Sequence, residues 1–434
     1  MTKAAAVCQY WRTTLLSFPR LWNRVHSSEQ GLFEVYLERS KYVPLQVHLH
    51  DLYDDLFDSL VPHISRLASL SVRMRDSSDF HLIAHHLPPP IPTLREFSIT
   101  ANGEEDVLEV PSDIDNGYFS HVKKLHLKEM PSFRAPHAFP HVTELVWVVD
   151  SRNEISIAGL LDTMGQLTEL ERVEIMFRRP PRHPNTEPVP HVVTLPHLQR
   201  MSLRLRYWSG GFSHILEFLR LQNLTSLDVD MGWRSSRPSS ILPVTSFDEK
   251  LPNFSEPTEI EVHAHGRPHR VIFRSPQAVL QYQSIGRILG EQPYHHDRKL
   301  LGGPPLGSVR KLIVVLDESA YGPEVAWVVC LMRELESLED LEIRGQCGCL
   351  LRYLRRMMMR EYPLPHIKTL AVHSGGTGIR QALRLEEVMD GLGLGTIVTC
   401  TPDPRVPDDD DWNADGSSEH WNWIEDWGGN GDQD

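Results

Sequence analysis

A short apolar phrase recurs along the chain and gives its clearest pattern. Each copy has an apolar residue, two further positions, a second apolar residue, one more position and a third apolar residue, as in Leu67, Leu70 and Val72. The alternation at the end of the phrase is the period of a β-strand with one buried side. The middle apolar residue of successive copies is Leu70, Phe97, Leu125, Leu145, Val173, Met201, Leu227, Ile260, Leu312, Leu341 and Leu370.

The copies are evenly spaced. The intervals between their middle residues are 27, 28, 20, 28, 28, 26, 33, 52, 29 and 29 residues, so seven of the ten lie between 26 and 29. This spacing leaves room for a strand, a helix or irregular turn, and a return segment. Apolar stripes at helical spacing lie between the copies, as at Leu52, Leu56, Leu60 and Ile64, or at Leu160, Leu161, Met164 and Leu167.

Strand, helix and strand at a fixed spacing favour parallel strands with right-handed connections. Neither element can bury its apolar side alone, so neighbouring units must stack around a shared core. The pattern resembles leucine-rich repeats of the irregular, long-repeat kind. We therefore predict an α/β fold over residues 27–400, a leucine-rich-repeat-like solenoid of parallel strands with helices or irregular turns.

Two regions depart from the repeat. Residues 231–308 are rich in Pro, Ser and Gly and predict a degenerate unit or an insertion, with a hairpin over residues 260–273 that turns near residues 266–268. Residues 401–434 are acidic and short of aliphatic side chains, which predicts a disordered tail. Its tryptophans either form a short docking motif or reflect drift in an unconstrained terminus; they are Trp412, Trp421, Trp423 and Trp427.

Residues 1–26 predict a short helical segment ahead of the repeats. Four apolar residues fall on one helical stripe, namely Val7, Trp11, Leu15 and Phe18. Pro19 ends the helix because proline lacks the backbone donor and clashes with the preceding turn. The residues by themselves indicate an amphipathic helix followed by a turn with an aromatic anchor.

The same segment resembles a known module. Residues 7–22 read V-C-x-x-W-R-x-x-x-x-x-x-P-x-L-W, which is similar to the second half of the F-box found in large fungal protein families. Residues 35–40 and 43–49 are similar to the segment that follows the box in those families. The first half of the box, a leucine-proline opening with its own helix, has no counterpart here, so the resemblance is to an F-box truncated in its N-terminal half.

This resemblance implies a role in ubiquitination. In that family the F-box docks on a Skp-family adaptor of a cullin-RING ubiquitin ligase, and the repeats hold the protein to be ubiquitinated. The chain is therefore expected to be a substrate-recognition subunit of an SCF-type ligase, with an unidentified protein as substrate. The alternative is a stand-alone scaffold of the same fold without a ligase role. By resemblance, the adaptor-binding residues are Val7, Cys8, Trp11, Leu15, Pro19, Leu21 and Trp22.

The strand residues that alternate with the buried ones form the candidate partner surface. If the strands line the concave side of a solenoid, these residues face the concavity, and their mixed charge suits a protein or peptide partner. The alternative is that they are merely solvated strand faces. The candidate partner-binding residues are Arg73, His126, Lys128, Glu174, Arg204, Arg206, Asp228, Asp230, Glu342 and Arg344.

The net charge of −14 comes mainly from the tail. Residues 401–434 hold eleven Asp and Glu against one basic residue, Arg405, so the tail contributes −10 and the remaining chain −4. A body this near neutral, with scattered basic residues, gives no electrostatic footprint for nucleic acid. The longest apolar run, residues 326–332, is far shorter than the ~20 residues that span a bilayer. Neither nucleic acid nor membrane is an expected partner.

Residues that could carry catalysis or bind a metal do not form a recognisable motif. The five cysteines lack CxxC spacing, and Cys347 and Cys349 stand too close together for a structural zinc pair. We therefore expect no metal or cofactor, and a reducing compartment, cytoplasm or nucleus. Residues 374–378 predict a glycine turn, because they lack the Lys-Ser/Thr of a phosphate-binding loop. No nucleophile elbow, HExxH or kinase motif occurs, so an enzyme is not expected.

Overall fold

The chain divides into two compact units, Met1–Asn253 and Phe254–Asp434, called unit 1 and unit 2 below. The boundary falls inside residues 231–308, where the repeat pattern is interrupted. Among the described residues, no helix is both long enough and apolar enough to cross a membrane. The computed structural model describes residues 8–28, 31–87, 89–101, 108–111, 114, 117–129, 133–134, 138–149, 157–177, 192–205, 215–231, 247–264, 269–284, 306–316, 322–359, 367–391 and 396–403.

Unit 1 is built on a parallel sheet. In its described part, nine strands pair side by side, and every pairing is parallel. In sheet order they are β1 (Arg24–His26), β2 (Leu45–Leu49), β3 (Leu67–Met74), β4 (Glu96–Ala101), β6 (Lys124–Lys128), β8 (Glu144–Val149), β9 (Arg172–Phe177), β11 (Arg200–Leu205) and β13 (Ser226–Met231). Two short parallel pairs lie outside this sheet, β5 (Leu108–Glu109) with β7 (Phe133–Arg134) and β10 (Val193–Thr194) with β12 (Leu219–Arg220).

Helices and short 3-10 turns connect these strands. The stripe predicted between residues 155 and 170 is confirmed, since Leu160, Leu161, Met164 and Leu167 are all buried. The stripe through Leu56 is shorter than predicted, because its helix ends at Leu60 and the segment that follows, with Pro62, is 3-10. The helices are α1 (Gln9–Ser17), α2 (Phe33–Arg39), α3 (Asp54–Leu60), α4 (Asp79–His86), α5 (Ile157–Gln166) and α6 (Phe247–Lys250), with 3-10 turns at Pro19–Trp22, Val61–Arg66, Ile215–Phe218 and Pro252–Phe254.

The apolar phrases pair without any slip. Phe97 lies opposite Leu70 on one side and Leu125 on the other, and the same pairing continues through the strands that follow. A slip of one residue would turn every apolar side chain to the other face of the sheet. The middle residues of the phrases therefore form one continuous core row in unit 1: Leu70, Phe97, Leu125, Leu145, Val173, Met201 and Leu227.

Backbone hydrogen bonds repeat at the start of the strands. The carbonyl of Thr143 accepts bonds from the amides of Glu171 and Arg172, at 2.9 Å each, and that of Glu171 accepts from Gln199 and Arg200. The same two-donor contact recurs at Arg95, Lys123 and Gln199 in unit 1 and at Thr258, Arg310 and Glu339 in unit 2. Successive strands thus enter their sheet in one geometry.

Unit 2 has seven paired strands in its described part. The four pairings from β14 onward are parallel, whereas β15 pairs antiparallel with both β14 and β16. In sheet order the strands are β16 (Val279–Ser284), β15 (His269–Arg274), β14 (Glu259–Ala264), β17 (Lys311–Leu316), β18 (Asp340–Gly345), β19 (Thr369–Ser374) and β20 (Ile397–Pro402). The helices are α7 (Gly322–Glu334), α8 (Gly348–Met359) and α9 (Gly376–Gly391), with a 3-10 turn at Leu306–Ser308.

The predicted hairpin over residues 260–273 is confirmed, since Ile260 pairs with Phe273 across an antiparallel ladder. β14 is also a repeat strand, because Ile260 lies opposite Leu312 in parallel register. The additional residues are therefore inserted after β14. At the other end, β20 runs to Pro402, so the disorder predicted from Thr401 onward is wrong for Thr401 and Pro402. Residues 404–434, with the four tail tryptophans, lie outside the described residues.

The glycine turn over residues 374–378 has a packing reason. β19 ends at Ser374, and α9 begins two residues later. A Cβ on Gly378 would lie 2.1 Å from Ser374 Oγ and 3.0 Å from Cys347 Sγ, so only glycine fits there. Burial raises the pKa of Cys347 to about 11, which keeps its thiol protonated and unreactive at neutral pH.

Candidate protein-binding surface

The strand residues that alternate with the core row form a polar face on the unit 1 sheet. Parallel register without slip aligns these residues into rows that run across the strands. The first row is Arg24, Gln46, Ser69, Glu96, Lys124, Glu144, Arg172, Arg200 and Ser226. The second row is His26, His48, Ser71, Ser98, His126, Val146, Glu174, Ser202 and Asp228, and the third is Arg73, Thr100, Lys128, Val148, Met176, Arg204 and Asp230.

The structure brings the predicted partner-binding residues of unit 1 onto this face. Arg73, Lys128, Arg204 and Asp230 stand in the third row, and His126, Glu174 and Asp228 in the second. Arg206 follows β11 and lies outside the described residues. Glu342 and Arg344 stand on β18 in unit 2, so they belong to a separate polar face.

Charge is not evenly distributed on the unit 1 polar face. Over β1 to β6, the second and third rows hold histidine, arginine, lysine and hydroxyl side chains but no carboxylate. Val146, Val148 and Met176 follow as a short apolar strip on β8 and β9. Acidic residues come next, with Glu174 Oε1 at 3.4 Å from Arg204 Nη2 and Asp228 and Asp230 on β13.

Stacked histidines mark the first strands of this face. The His26 and His48 rings lie 4.5 Å apart and nearly parallel, with the His50 ring 6.4 Å from His26. Burial, reinforced by His26, His50 and Lys128, lowers the pKa of His48 below its usual value. The His48 imidazole is therefore neutral at pH 7.

His126 stands in the second row on β6, close to Glu96 of the first row on β4. Its Nε2 is 3.2 Å from Glu96 Oε1, but the atom is buried and forms no hydrogen bond of good geometry. Burial lowers the pKa of His126, and this effect exceeds the opposite influence of Glu96. His126 is thus also neutral at pH 7, and the permanent charges of the second and third rows over β1 to β6 are Arg73 and Lys128.

On the polar face of unit 2, in contrast to that of unit 1, one carboxylate lies within ion-pair distance of several basic side chains. Glu342 Oε2 lies 3.1 Å from Lys311 Nζ, and its Oε1 lies 2.6 Å from Arg344 Nη2 and 3.5 Å from His373 Nε2. Burial raises the pKa of Glu342, but the hydrogen bonds from Arg344 and Lys311 outweigh it and hold the pKa below its usual value. The predicted pair Glu342 and Arg344 is therefore mutually satisfied.

The residues implied as adaptor-binding fall into two groups. Trp22 is 1% exposed, and its Nε1 donates to the Leu15 carbonyl at 2.9 Å. Leu15 is buried as well. Their side chains fasten α1 to the rest of unit 1, and the adaptor contact that the resemblance implies for them stays a prediction. Cys8 and Trp11 are exposed, Pro19 and Leu21 are partly exposed, and Val7 lies outside the described residues.

Residues 35–40, which resemble the segment that follows the F-box, pack on Trp22. Tyr36 meets the Trp22 ring edge-on at 5.2 Å, and the Arg39 guanidinium lies 4.7 Å over it. Arg66 donates to the carbonyls of Leu37 and Val43 and to Ser40 Oγ, which satisfies the end of α2. The two quoted stretches thus form one small packed assembly ahead of the repeats.

An exposed aromatic group lies at the N-terminal helix; of its members only Trp11 is among the residues that the sequence indicates for binding. Tyr10, Trp11 and Phe18 are 76%, 52% and 55% exposed. Among the described members of the apolar stripe, which are Trp11, Leu15 and Phe18, only Leu15 reaches the core. A stripe with a single buried member is the signal of a helix that packs at one end.

A cleft beside α4 was the other candidate for a binding site, and its acidic residue already has a structural role. This cleft, of about 710 Å³, is lined by residues that include Arg75, Asp79, His85 and Tyr118. Asp79 is used locally, since it accepts from the Arg75 amide at 2.7 Å and from its guanidinium at 3.0 Å. Within the described ranges, no group of three or more His, Cys, Asp or Glu could hold a metal ion.

Comparisons with known proteins give no relative for this chain. No protein-family model matches it, and no curated protein matches it either. The assignment of a function therefore depends on the residues and on their geometry.

Proposed function

We propose that this chain is a leucine-rich-repeat-like solenoid that recognises a protein substrate for an SCF-type cullin-RING ubiquitin ligase in the cytoplasm or nucleus. One observation supports the binding role most strongly: the repeat strands from β3 to β13 in unit 1, and from β14 through β17 to β19 in unit 2, pair in an unbroken register that exposes aligned rows of polar side chains. Such rows offer a partner a broad surface of mixed charge.

The repeat geometry supports the solenoid. In a solenoid each repeat contacts its neighbours through the same interface. Here the two-donor carbonyl contact recurs from Arg95 to Gln199 in unit 1 and from Thr258 to Glu339 in unit 2. A turn with an i to i−3 hydrogen bond also precedes many strands, as at Leu167 and Leu170 or Leu335 and Leu338. The units therefore have the periodicity that stacked repeats require.

The N-terminal helix supports adaptor binding. Trp11 and its neighbours Tyr10 and Phe18 expose aromatic surface on α1, and exposed aromatic groups of this size are typical of protein interfaces. Trp22 and Leu15 hold the helix in place from beneath. The resemblance to an F-box gives this surface its partner, a Skp-family adaptor.

The stand-alone scaffold is the alternative, and one observation favours it. Two of the seven resemblance-based residues, Leu15 and Trp22, are buried rather than exposed to a partner in this structure. Because the affinity of an interface depends on a few well-packed anchor residues, fewer exposed residues on this segment would bind an adaptor more weakly. The polar faces would then serve a binding role without ubiquitin transfer.

Capture of a Skp-family adaptor tests the ligase role. The full chain is immobilised, and adaptor retention is compared between wild type, Trp11→Ala and Tyr42→Ala. We expect wild type to retain the adaptor and Trp11→Ala to weaken binding by about tenfold, as for a central aromatic anchor. Tyr42, 82% exposed but outside the F-box-like segment, is the matched control and should bind as wild type does.

Two outcomes would decide against the ligase role. The first is a folded wild-type chain that retains no adaptor, which would leave the scaffold function. The second is equal loss in Trp11→Ala and Tyr42→Ala, which would show that the α1 surface is not the contact. Far-ultraviolet circular dichroism of each variant verifies that the fold is intact.

A further inference from the structure

Two of the three cations in the third row of the unit 1 polar face have no carboxylate partner among the described residues. Arg73 and Lys128 are both exposed, and among the described residues neither stands within ion-pair distance of an Asp or Glu. Elsewhere on the same face, Arg204 lies 3.4 Å from Glu174, and Lys124 lies 3.4 Å from Glu144. Arg73 and Lys128 therefore differ from these paired cations in offering unneutralised charge.

The register brings these two cations to either side of one residue. Arg73 on β3 lies opposite Thr100 on β4, and Thr100 lies opposite Lys128 on β6. Neighbouring strands are about 4.8 Å apart, so the backbones of Arg73 and Lys128 are about 10 Å apart. A carboxylate above Thr100 would be within reach of both long side chains.

A buried hydroxyl beside them lacks a partner. Ser98 is 6% exposed, and its Oγ forms no hydrogen bond. It points to the polar face, because Phe97 and Ile99 on either side point into the core. A buried hydroxyl without a partner is unfavourable, because it has lost its hydrogen bonds to water without replacing them, and a bound acceptor would relieve this cost. Next to Ser98 in the same row, the Nε2 of His126 is also buried; it lies 3.2 Å from Glu96 Oε1 but forms no hydrogen bond of good geometry.

We propose that Arg73, Ser98, Thr100, His126 and Lys128 form a site for a carboxylate-rich segment of a partner polypeptide. This inference rests on the proposed protein-binding function and deepens it by naming the chemistry of the bound segment. The adjoining strip of Val146, Val148 and Met176 accommodates an apolar side chain that follows the acidic residues.

The surrounding charges favour a short acidic segment over a nucleic acid. A nucleic acid needs a broad basic surface along its phosphates. Here Glu96 and Glu144 stand in the first row, and Glu174 and Asp228 lie further along the second. These carboxylates would repel an extended polyanion, whereas a peptide with a few acids and then an apolar residue avoids them.

Peptide binding to the full chain tests the site. The probe is a short labelled peptide of Glu and Asp residues followed by a leucine, and its fluorescence anisotropy gives Kd. We expect Arg73→Ala/Lys128→Ala to weaken binding roughly tenfold, since removal of two facing charges reduces electrostatic complementarity. The control Arg333→Ala/Arg352→Ala removes the same net charge from exposed positions on α7 and α8 and should change Kd by less than roughly twofold.

Ser98→Ala separates a ligand-binding role from a structural one. The Ser98 hydroxyl has no partner within the fold, so its removal should not lower the thermal midpoint. The loss of one hydrogen bond to the bound carboxylate should weaken peptide binding roughly fivefold. Unchanged peptide affinity in Ser98→Ala would remove this hydroxyl from the site and overturn the proposal as stated.

Competitors test the nature of the occupant. Inorganic phosphate that displaces the peptide at equal concentration would show a small-anion site, and an RNA homopolymer that binds more tightly would show a nucleic-acid site. A peptide with the sequence of residues 404–434 that binds where the unrelated acidic peptide does not would assign the surface to this chain's own acidic segment. Each of these results overturns the assignment to a partner polypeptide.

Adaptor capture on the same proteins distinguishes this proposal from the proposed function. Arg73 and Lys128 lie on β3 and β6, not on α1, so their substitution should leave adaptor retention unchanged. A wild-type chain that retains the adaptor but does not bind the acidic peptide overturns only the acidic-segment site. A chain that binds the peptide but not the adaptor overturns only the ligase role.

Discussion

Trp22 connects α1 to α2 in unit 1. Its indole donates to the Leu15 carbonyl, packs edge-on against Tyr36 and lies under the Arg39 guanidinium. One side chain thus combines apolar burial, a hydrogen bond and a cation–π contact, each of which adds to stability. The arrangement explains why the sequence places an aromatic residue at the end of the turn that begins at Pro19.

Removal of the Trp22 indole should destabilise the chain. We expect Trp22→Ala to lower the free energy of unfolding by about 3–5 kcal/mol, as large-to-small core substitutions do. Trp22→Phe should cost about 1–3 kcal/mol, because the Leu15 carbonyl loses its buried donor. Denaturant unfolding followed by far-ultraviolet circular dichroism measures both.

Trp11→Ala is the matched control for Trp22, since it removes an indole from the same segment. Trp11 is 52% exposed, and surface substitutions usually change stability by less than about 0.5 kcal/mol. A loss in Trp11→Ala equal to that in Trp22→Ala would contradict the packing role assigned to Trp22.

At the scale of elements, the sequence predicts the long strands well. Leu70, Phe97 and their equivalents alternate with polar residues over five or six positions, which is enough to define a period of two. Strands of two residues, such as β5 and β10, carry no period and could not be predicted. An apolar residue also stands three positions before a phrase, as at Leu195 and Leu221. Its carbonyl accepts a hydrogen bond from the first residue of the phrase and so forms a turn, which the phrase alone does not indicate.

The candidate surface could be predicted only in part, for a related reason. Alternation along one strand shows that Arg73 and Lys128 face away from the core, and this holds in the structure. Which cations lack a partner depends on what stands opposite them in register, and these neighbours come from repeats some 28 residues apart. The burial of Ser98 and the engagement of Glu342 by three cations likewise arise only when the strands are assembled.

Two glycines in the first turns of α8 and α9, Gly348 and Gly378, have different surroundings, and we expect them to respond differently to substitution. A Cβ at Gly378 would meet Ser374 Oγ, which is held in place by a 2.6 Å bond to the Gly345 carbonyl. Gly378→Ala should therefore displace α9 from β19 and cost about 1–3 kcal/mol, as overpacking does. Thermal unfolding of the full chain measures the change.

Gly348, at the start of α8, is the matched control. A Cβ there would meet nothing within 4 Å. Gly348→Ala should be neutral or stabilise by up to about 1 kcal/mol, because alanine restricts the unfolded chain. If Gly378→Ala were as stable as Gly348→Ala, the close approach of α9 to Ser374 would be wrong.

At the scale of the whole molecule, the two units respond to different ranges of pH. In unit 1, burial lowers the pKa of His48, His63 and His126 from the ordinary value of 6.5. In unit 2, hydrogen bonds hold the pKa of Glu261 and Glu342 below the ordinary value of 4.5, against the opposing effect of burial. In every case the unfolded chain binds more protons than the folded one as the pH falls past the ordinary value.

Stability therefore declines with acid in both units, but from different starting points. The stability that the histidines contribute is present above pH 6.5 and is lost as the pH falls through their lowered folded values. The stability that the two glutamates contribute is present above pH 4.5 and is lost only below it. Hydrogen exchange followed peptide by peptide should show protection in unit 1 declining from about pH 6.5, and in unit 2 only below about pH 4.5.

Substitutions test which residues cause the loss of stability of each unit as the pH falls. His48→Gln/His126→Gln should reduce the decline of unit 1 between pH 6.5 and 5 and leave the response of unit 2 unchanged. Glu342→Gln should remove part of the decline of unit 2 below pH 4.5, at the expense of lower stability at pH 7, because Lys311 and Arg344 lose their common partner. Loss of protection in both units at one pH below 4.5 would contradict the histidine contribution, since neutral histidines that resist protonation must weaken unit 1 first.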